Sequence, residues 1–144
     1  MVRLALGVFV VLSQLVAQSG NDLPQVMSLD SKTVAVAKAG KKSDVTVTFS
    51  LVKGFVINRT PPINLKLTET PGVKIDQLSF NTSPDDPKSK DEYYVDLPKI
   101  KVPVTAAKAG KYEINGKLTY FFCSKADGFC SRQIYDVKIP LQVE

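Results

Sequence analysis

The chain has 144 residues, a hydrophobic content of 44% and a formal net charge of +5. This length predicts one domain with its own core, and the composition excludes a disordered chain. Histidine is absent, which excludes Ser-His and Cys-His catalytic pairs and histidine-based metal sites, so we expect neither a metal nor another cofactor.

Residues 1–19 have the layout of a secretory signal peptide. Arg3 precedes an apolar run over residues 4–12, and small and polar residues follow. The run is short for a transmembrane helix, and cleavage after Ala17 or after Ser19 fits the small-residue rule. An uncleaved membrane anchor is the alternative. A cleaved signal peptide predicts a periplasmic or secreted protein, without a membrane span in the mature chain, where disulfides persist.

A flexible lead-in is predicted for residues 20–32, and alternating apolar and polar residues follow over residues 33–144. This period of two predicts β-strands with one buried face. The expected inward-facing residues are Val45, Val47, Phe49, Leu51, Ile63, Leu65, Leu67, Ile100, Val102, Val104, Tyr112, Ile114, Leu118, Tyr120, Phe122, Tyr135, Val137, Ile139, Leu141 and Val143. An interruption is expected at residues 115–116, where Asn-Gly falls inside one of the runs.

Clusters of turn-forming residues separate these runs, and none of the runs has a helical period. Short, regularly punctuated strands predict an all-β fold, an immunoglobulin-like antiparallel β-sandwich. Pro103 and Pro140 fall inside strand-like runs, so those strands should be edges or be broken there, because proline cannot donate to a ladder. Lysines mostly alternate with apolar residues and form no basic stretch with aromatics, so we expect no nucleic-acid partner.

The two cysteines, Cys123 and Cys130, lie in the segment FFCSKADGFC. Cys123 follows one predicted strand, Cys130 precedes another, and Asp127-Gly128 between them is a strong turn signal. Facing positions on such a hairpin meet the Cα separation that a disulfide needs, about 4.4–6.8 Å. A disulfide across so short a loop stabilises a fold by roughly 2–3 kcal/mol. The spacing alone leaves a structural staple and a redox centre equally open.

The segment LTYFFCSKADGFCSRQIYDVKIPL resembles the active hairpin in the N-terminal periplasmic domain of DsbD, the transmembrane thiol:disulfide interchange reductase. KGFVINRTPP and YYVDLPKIKVPVT resemble other segments of that family, and the likeness covers about residues 33–143. The likeness implies that this protein has an immunoglobulin-like fold. It also implies a possible role as a protein-disulfide reductase or as a component of an electron relay. It also implies thioredoxin-fold redox partners of the disulfide isomerase or reductase type.

On this resemblance, Cys130 matches the cysteine that forms a mixed disulfide with partners, and Cys123 matches the cysteine that resolves it. Chemically, a thiolate attacks a disulfide sulfur and a second thiol then releases the partner. The spacer of six residues is one longer than is usual in the family, and Ser131-Arg132-Gln133 stands where the family has a proline. The alternative function is a non-catalytic adhesion or assembly module with a structural hairpin disulfide.

Four residues near the cysteines are candidates for tuning or partner contact. Lys125 and Arg132 flank the pair, where positive charge favours a thiolate. Because lysines are common on surfaces, a coincidental position is the alternative interpretation. Asp127 is expected to shape the turn. Phe129 is expected either to pack over the sulfurs or to anchor the hairpin to the core.

The DsbD family shields its cysteines with a cap loop that bears an aromatic and acidic residues. Residues 91–94, with the sequence DEYY, resemble that loop in their letters. Register against the following strand instead predicts that Tyr94 lies in the strand and that the cap falls within residues 83–90. That stretch has no aromatic, and its alternative interpretation is a solvated connection.

Overall fold

The structure, a computed structural model, describes residues 23–30, 35–82 and 90–144. The predicted signal peptide and residues 83–89 of the predicted cap lie outside this part of the chain. The strands are β1 (Met27–Leu29), β2 (Ala35–Ala37), β3 (Lys42–Val47), β4 (Phe49–Leu51), β5 (Phe55–Ile57), β6 (Asn64–Leu67), β7 (Val73–Ile75), β8 (Ser79–Asn81), β9 (Ile100–Ala106), β10 (Gly110–Ser124) and β11 (Cys130–Val143). Over the described ranges, no helix has the length and apolarity needed to cross a membrane.

The strands form two main sheets around one core. The larger sheet has the order β2-β11-β10-β6-β8, and β5 also pairs with β10; the second sheet has the order β3-β9-β7. β2 joins β11 in parallel, whereas the other pairs are antiparallel. Apolar residues of both sheets pack into one cluster. The predicted all-β, immunoglobulin-like antiparallel sandwich is confirmed.

Most of the residues predicted to face inward are buried in this core. Tyr112 and Tyr135 are partly buried and pack against it. The prediction that Leu51 faces inward is wrong, because 36% of this residue is exposed. The run that contains Leu51 is split at Thr48: β3 pairs with β9 in one sheet, while β4 pairs with β1 outside both main sheets. The alternation therefore describes two short strands with different neighbours rather than one strand.

The segment predicted as a flexible lead-in contains a strand in its described part. β1 pairs with β4, and Val26 and Met27 are fully buried. The Met27 N–H donates to the hydroxyl of Tyr120 at 3.0 Å, and the Val26 N–H donates to Oε1 of Gln133 at 3.2 Å. Burial of two apolar side chains and satisfaction of these donors explain why this segment belongs to the sandwich.

Pro103 lies within β9 and Pro140 within β11. Among the described residues, each proline faces a partner on one neighbouring strand only, Asp44 for Pro103 and Glu113 for Pro140. β7 pairs with β9 from Val104 onward, and β2 pairs with β11 from Leu141 onward. A residue without an N–H is tolerated at such local edges. The prediction that these strands are edges or are broken is wrong: β9 is the middle strand of its sheet, β11 lies between β2 and β10, and both strands continue through their proline.

β10 and β11 form a long hairpin that ends in the facing pair Cys123 and Cys130. They contain 15 and 14 residues. The interruption expected at residues 115–116 is wrong, since Gly116 continues the strand. A Cβ at Gly116 would lie 2.7 Å from the carbonyl oxygen of Lys66, so glycine there allows the close approach of β6. The hairpin is thus one uninterrupted arm that carries the cysteines at its end.

Candidate functional site

Cys123 and Cys130 form a disulfide with their Cα atoms 4.0 Å apart. The Ser124 N–H donates to the carbonyl oxygen of Phe129 at 2.8 Å, the bond expected beside a facing pair that shares no backbone hydrogen bond. Such pairs bring side chains closest in an antiparallel sheet, with Cα atoms about 4.5 Å apart. The prediction that the cysteines occupy adjacent arms of one hairpin is confirmed.

The two halves of the disulfide differ in exposure. Cys123 is only 4% exposed, because β10 lies between β11 and β5 and Cys123 faces Val56 of β5. Cys130 is exposed at the start of β11. A molecule approaching from solvent therefore reaches Cys130 and not Cys123.

The turn between the cysteines is held by its own polar groups. The carboxylate of Asp127 accepts a hydrogen bond from the Ser124 hydroxyl at 3.2 Å, and the Asp127 N–H donates to the same hydroxyl oxygen at 3.3 Å. Gly128 has a φ of 67°, in the left-handed region that glycine adopts without strain. Asp127 thus takes part in the turn, as expected for a residue that shapes it.

Phe129 reaches back from the turn to the core. Its ring packs edge-on against Phe122 with centroids 6.0 Å apart, and Phe122 packs against Phe55 at 5.8 Å. The residue is 40% exposed, so one side of it contacts the core and the other faces solvent. Phe129 was expected either to pack over the sulfurs or to anchor the hairpin to the core, and the ring distances show contact with the core.

The two cationic candidates lie on the surface near the pair. Lys125 is exposed in the turn, and its backbone N–H donates to the carbonyl oxygen of Gly54 at 2.9 Å. Arg132 is exposed opposite Phe121, and it shares the outward face with Cys130 because it lies two residues further along the strand. Both residues are therefore exposed within a few positions of Cys130 in the chain.

A groove of about 600 Å³ opens beside Cys130. Its lining consists of Cys130 and residues from two distant segments, Asn58, Thr60, Lys90, Asp91, Glu92 and Tyr93. The two segments are tied by backbone hydrogen bonds, from the Arg59 N–H to the carbonyl of Glu92 at 2.9 Å and from the Tyr94 N–H to that of Ile57 at 3.0 Å.

The prediction that Tyr94 lies in the following strand is wrong, whereas the predicted cap lies outside the described residues except for Lys90, which lines the groove beside Cys130. Tyr94 is buried but lies outside the strands, since β9 begins at Ile100. Tyr93 forms an isolated bridge with Asn58 and lines the groove beside Cys130. The acidic and aromatic residues 91–93 therefore lie next to the exposed cysteine. Residues 94–99 form an irregular connection, so the strand begins later than its register predicted.

Asn58 is the residue of this site that sequence reasoning missed. Its Oδ1 lies 3.5 Å from Sγ of Cys123, and its backbone N–H donates to the carbonyl oxygen of Phe121 at 2.9 Å. The only signal in the sequence was its position within KGFVINRTPP, one of the segments that resemble the DsbD family.

Among residues 23–30, 35–82 and 90–144, no cluster of three or more His, Cys, Asp or Glu side chains could hold a metal ion. No protein-family model and no curated protein matches the chain. Among solved structures, a murine protein, titled "Structure or murine CRIg", is similar at 9% identity and a TM-score of 0.39. That match covers 83% of this chain and 99% of the murine chain. At this identity and TM-score the likeness does not bear on function.

Proposed function

We propose that this protein is a periplasmic or secreted thiol–disulfide relay domain, which exchanges reducing equivalents with thioredoxin-fold proteins through Cys123 and Cys130. The observation that carries the proposal is the asymmetry of the disulfide, with Cys130 exposed beside a groove and Cys123 buried behind it. Exchange requires one sulfur that a partner can reach and a second sulfur close enough to attack the mixed disulfide that forms there.

The arrangement supports two balanced steps. In the reduced protein, the Cys130 thiolate attacks one sulfur of a partner disulfide; a mixed disulfide forms, and the other partner sulfur leaves as a thiolate and takes up a proton. The Cys123 thiol then loses its proton and attacks Cys130, so that the Cys123–Cys130 bond forms and the second partner thiol leaves. The partner gains two electrons and two protons, and the reverse sequence reduces this protein.

The position of the disulfide favours exchange over stapling. The backbone ladder of β10 and β11 already holds Cys123 opposite Cys130. Closing a loop with a sequence separation of 7 adds little order to the unfolded chain, and the corresponding stabilisation is roughly 2–3 kcal/mol. A disulfide that joined the two sheets would close a much longer loop and stabilise the sandwich more.

The resemblance to the DsbD family adds support, because segments of this chain that resemble the family lie next to Cys123 and Cys130 in the fold. KGFVINRTPP supplies Asn58 next to Cys123, and residues 91–93 lie in the groove next to Cys130. These segments are far apart in the sequence, and a likeness by chance would not require them to be neighbours in the fold.

The test is electron transfer between the reduced protein and an oxidised thioredoxin-fold disulfide isomerase. Samples quenched with acid and alkylated at successive times report the thiol content of each protein by mass. We expect transfer of two electrons per protein, at a higher rate than to oxidised glutathione at the same concentration of disulfide. Equal rates with both oxidants would contradict recognition of a thioredoxin-fold partner. A pair that is reduced only when the domain unfolds would instead favour the adhesion or assembly module.

A further inference from the structure

Asn58 holds a side-chain amide against the buried sulfur of the pair. Its Oδ1 lies 3.5 Å from Sγ of Cys123, and Asn58 itself is partly buried. The backbone on both sides is fixed, since the Asn58 N–H bonds to Phe121 and Asn58 also bridges to Tyr93. The amide is therefore kept beside Cys123 by β10 on one side and by the residues of the groove on the other.

The strength of the interaction between Asn58 and Cys123 depends on the redox state of the pair. A disulfide sulfur carries no proton and is a weak acceptor, so the amide gains little from the oxidised pair. In the reduced protein, the Cys123 thiol can donate to Oδ1 of Asn58. A Cys123 thiolate can instead accept from the amide N–H₂ group, because rotation of the amide exchanges its oxygen and nitrogen.

We infer that Asn58 is a positioning residue that stabilises the reduced form of Cys123 and thereby raises the reduction potential of the pair. The inference rests on the proposed relay function and adds the residue that sets its potential. A neutral hydrogen bond made in one redox state only changes the equilibrium between the two states about fivefold. That factor corresponds to about 20 mV for a two-electron couple.

The experiment measures the equilibrium of the purified protein with a dithiol buffer, in the wild type, Asn58→Ala and Asn58→Asp. Asn58→Ala should shift the equilibrium about fivefold toward the disulfide. The ionised carboxylate of the Asn58→Asp variant is an acceptor without a donor, so this variant should remain near the wild type at a pH where the carboxyl is ionised and the thiols are protonated. It should shift further toward the disulfide than Asn58→Ala at a pH where the thiols ionise, because a carboxylate repels a thiolate.

Thr60→Ala is the matched control, since Thr60 lines the same groove and is exposed. It should leave the redox equilibrium unchanged. Denaturant unfolding of the oxidised and reduced forms of each variant separates a redox role from a structural one. A structural role of Asn58 would lower the stability of both forms equally and leave the equilibrium unmoved, which would overturn the inference.

The two possible failures are distinguishable. If the wild type does not exchange with thioredoxin-fold proteins but Asn58→Ala still shifts the equilibrium, then the relay is wrong and Asn58 merely tunes a disulfide of another purpose. If the wild type exchanges and Asn58→Ala has the wild-type equilibrium, the relay stands and the role of Asn58 is wrong.

Discussion

Serine in place of Cys130 should lower the rate at which a mixed disulfide forms with an oxidised thioredoxin-fold protein by a factor on the order of 10² or more, because it removes the accessible nucleophile. Serine in place of Cys123 should leave the first step intact and prevent the second. We therefore expect the Cys123→Ser variant to accumulate a mixed disulfide through Cys130. Non-reducing electrophoresis and mass spectrometry after alkylation measure the yield of this adduct.

The two variants are controls for each other. Each loses one sulfur atom and the disulfide, so a difference in trapping reports the position of the remaining thiol. The exposure of Cys130 and the burial of Cys123 are the physical reason for the expected asymmetry. Equal yields of mixed disulfide from both variants would contradict the assignment of Cys130 as the attacking residue.

Alanine in place of Phe122 should lower the free energy of unfolding by about 3–5 kcal/mol, the usual cost of truncating a buried phenylalanine. The side chain is fully buried and lies at the centre of an aromatic cluster, in ring contact with Phe55, Tyr120 and Phe129. Each edge-on aromatic pair contributes about 0.5–1.5 kcal/mol beyond its buried area. Urea unfolding of the oxidised protein measures the loss.

Phe129→Ala is the matched control for this prediction. Phe129 is 40% exposed and touches the cluster with one side, so its truncation should cost clearly less than that of Phe122. Phe122→Leu retains most of the buried volume and provides a folded variant if the alanine variant does not fold. A loss for Phe122→Ala no greater than that for Phe129→Ala would show that Phe122 does not anchor the hairpin end.

Local alternation predicted most of the sandwich because each long strand has one face in a common core. The pattern failed where the neighbours of a strand change within one run. Leu51 continues the alternation of Val47 and Phe49, yet the chain leaves one sheet at Thr48 and the residue is exposed. Val26 and Met27 show the opposite failure, because a segment of three strand residues has too few positions to establish a period.

The cysteine pair was predictable because both cysteines belong to one hairpin, whose register follows from its own turn. The rest of the site depends on pairing between segments that are far apart in the chain. Asn58 and Cys123 are 65 residues apart, and their contact follows from the register of β5 on β10. Residues 91–93 are held in place by backbone pairing with the residues at the end of β5 and just after it. No local feature of the sequence specifies either pairing.

The most direct test of the account is the reduction potential of the Cys123–Cys130 pair in the purified domain, measured by equilibrium with a dithiol buffer and alkylation of the free thiols. The relay requires a value near those of known exchange proteins, roughly −180 to −270 mV. A value well below about −300 mV, where structural disulfides usually lie, would contradict the relay. A disulfide that resists reduction until the domain unfolds would contradict it equally.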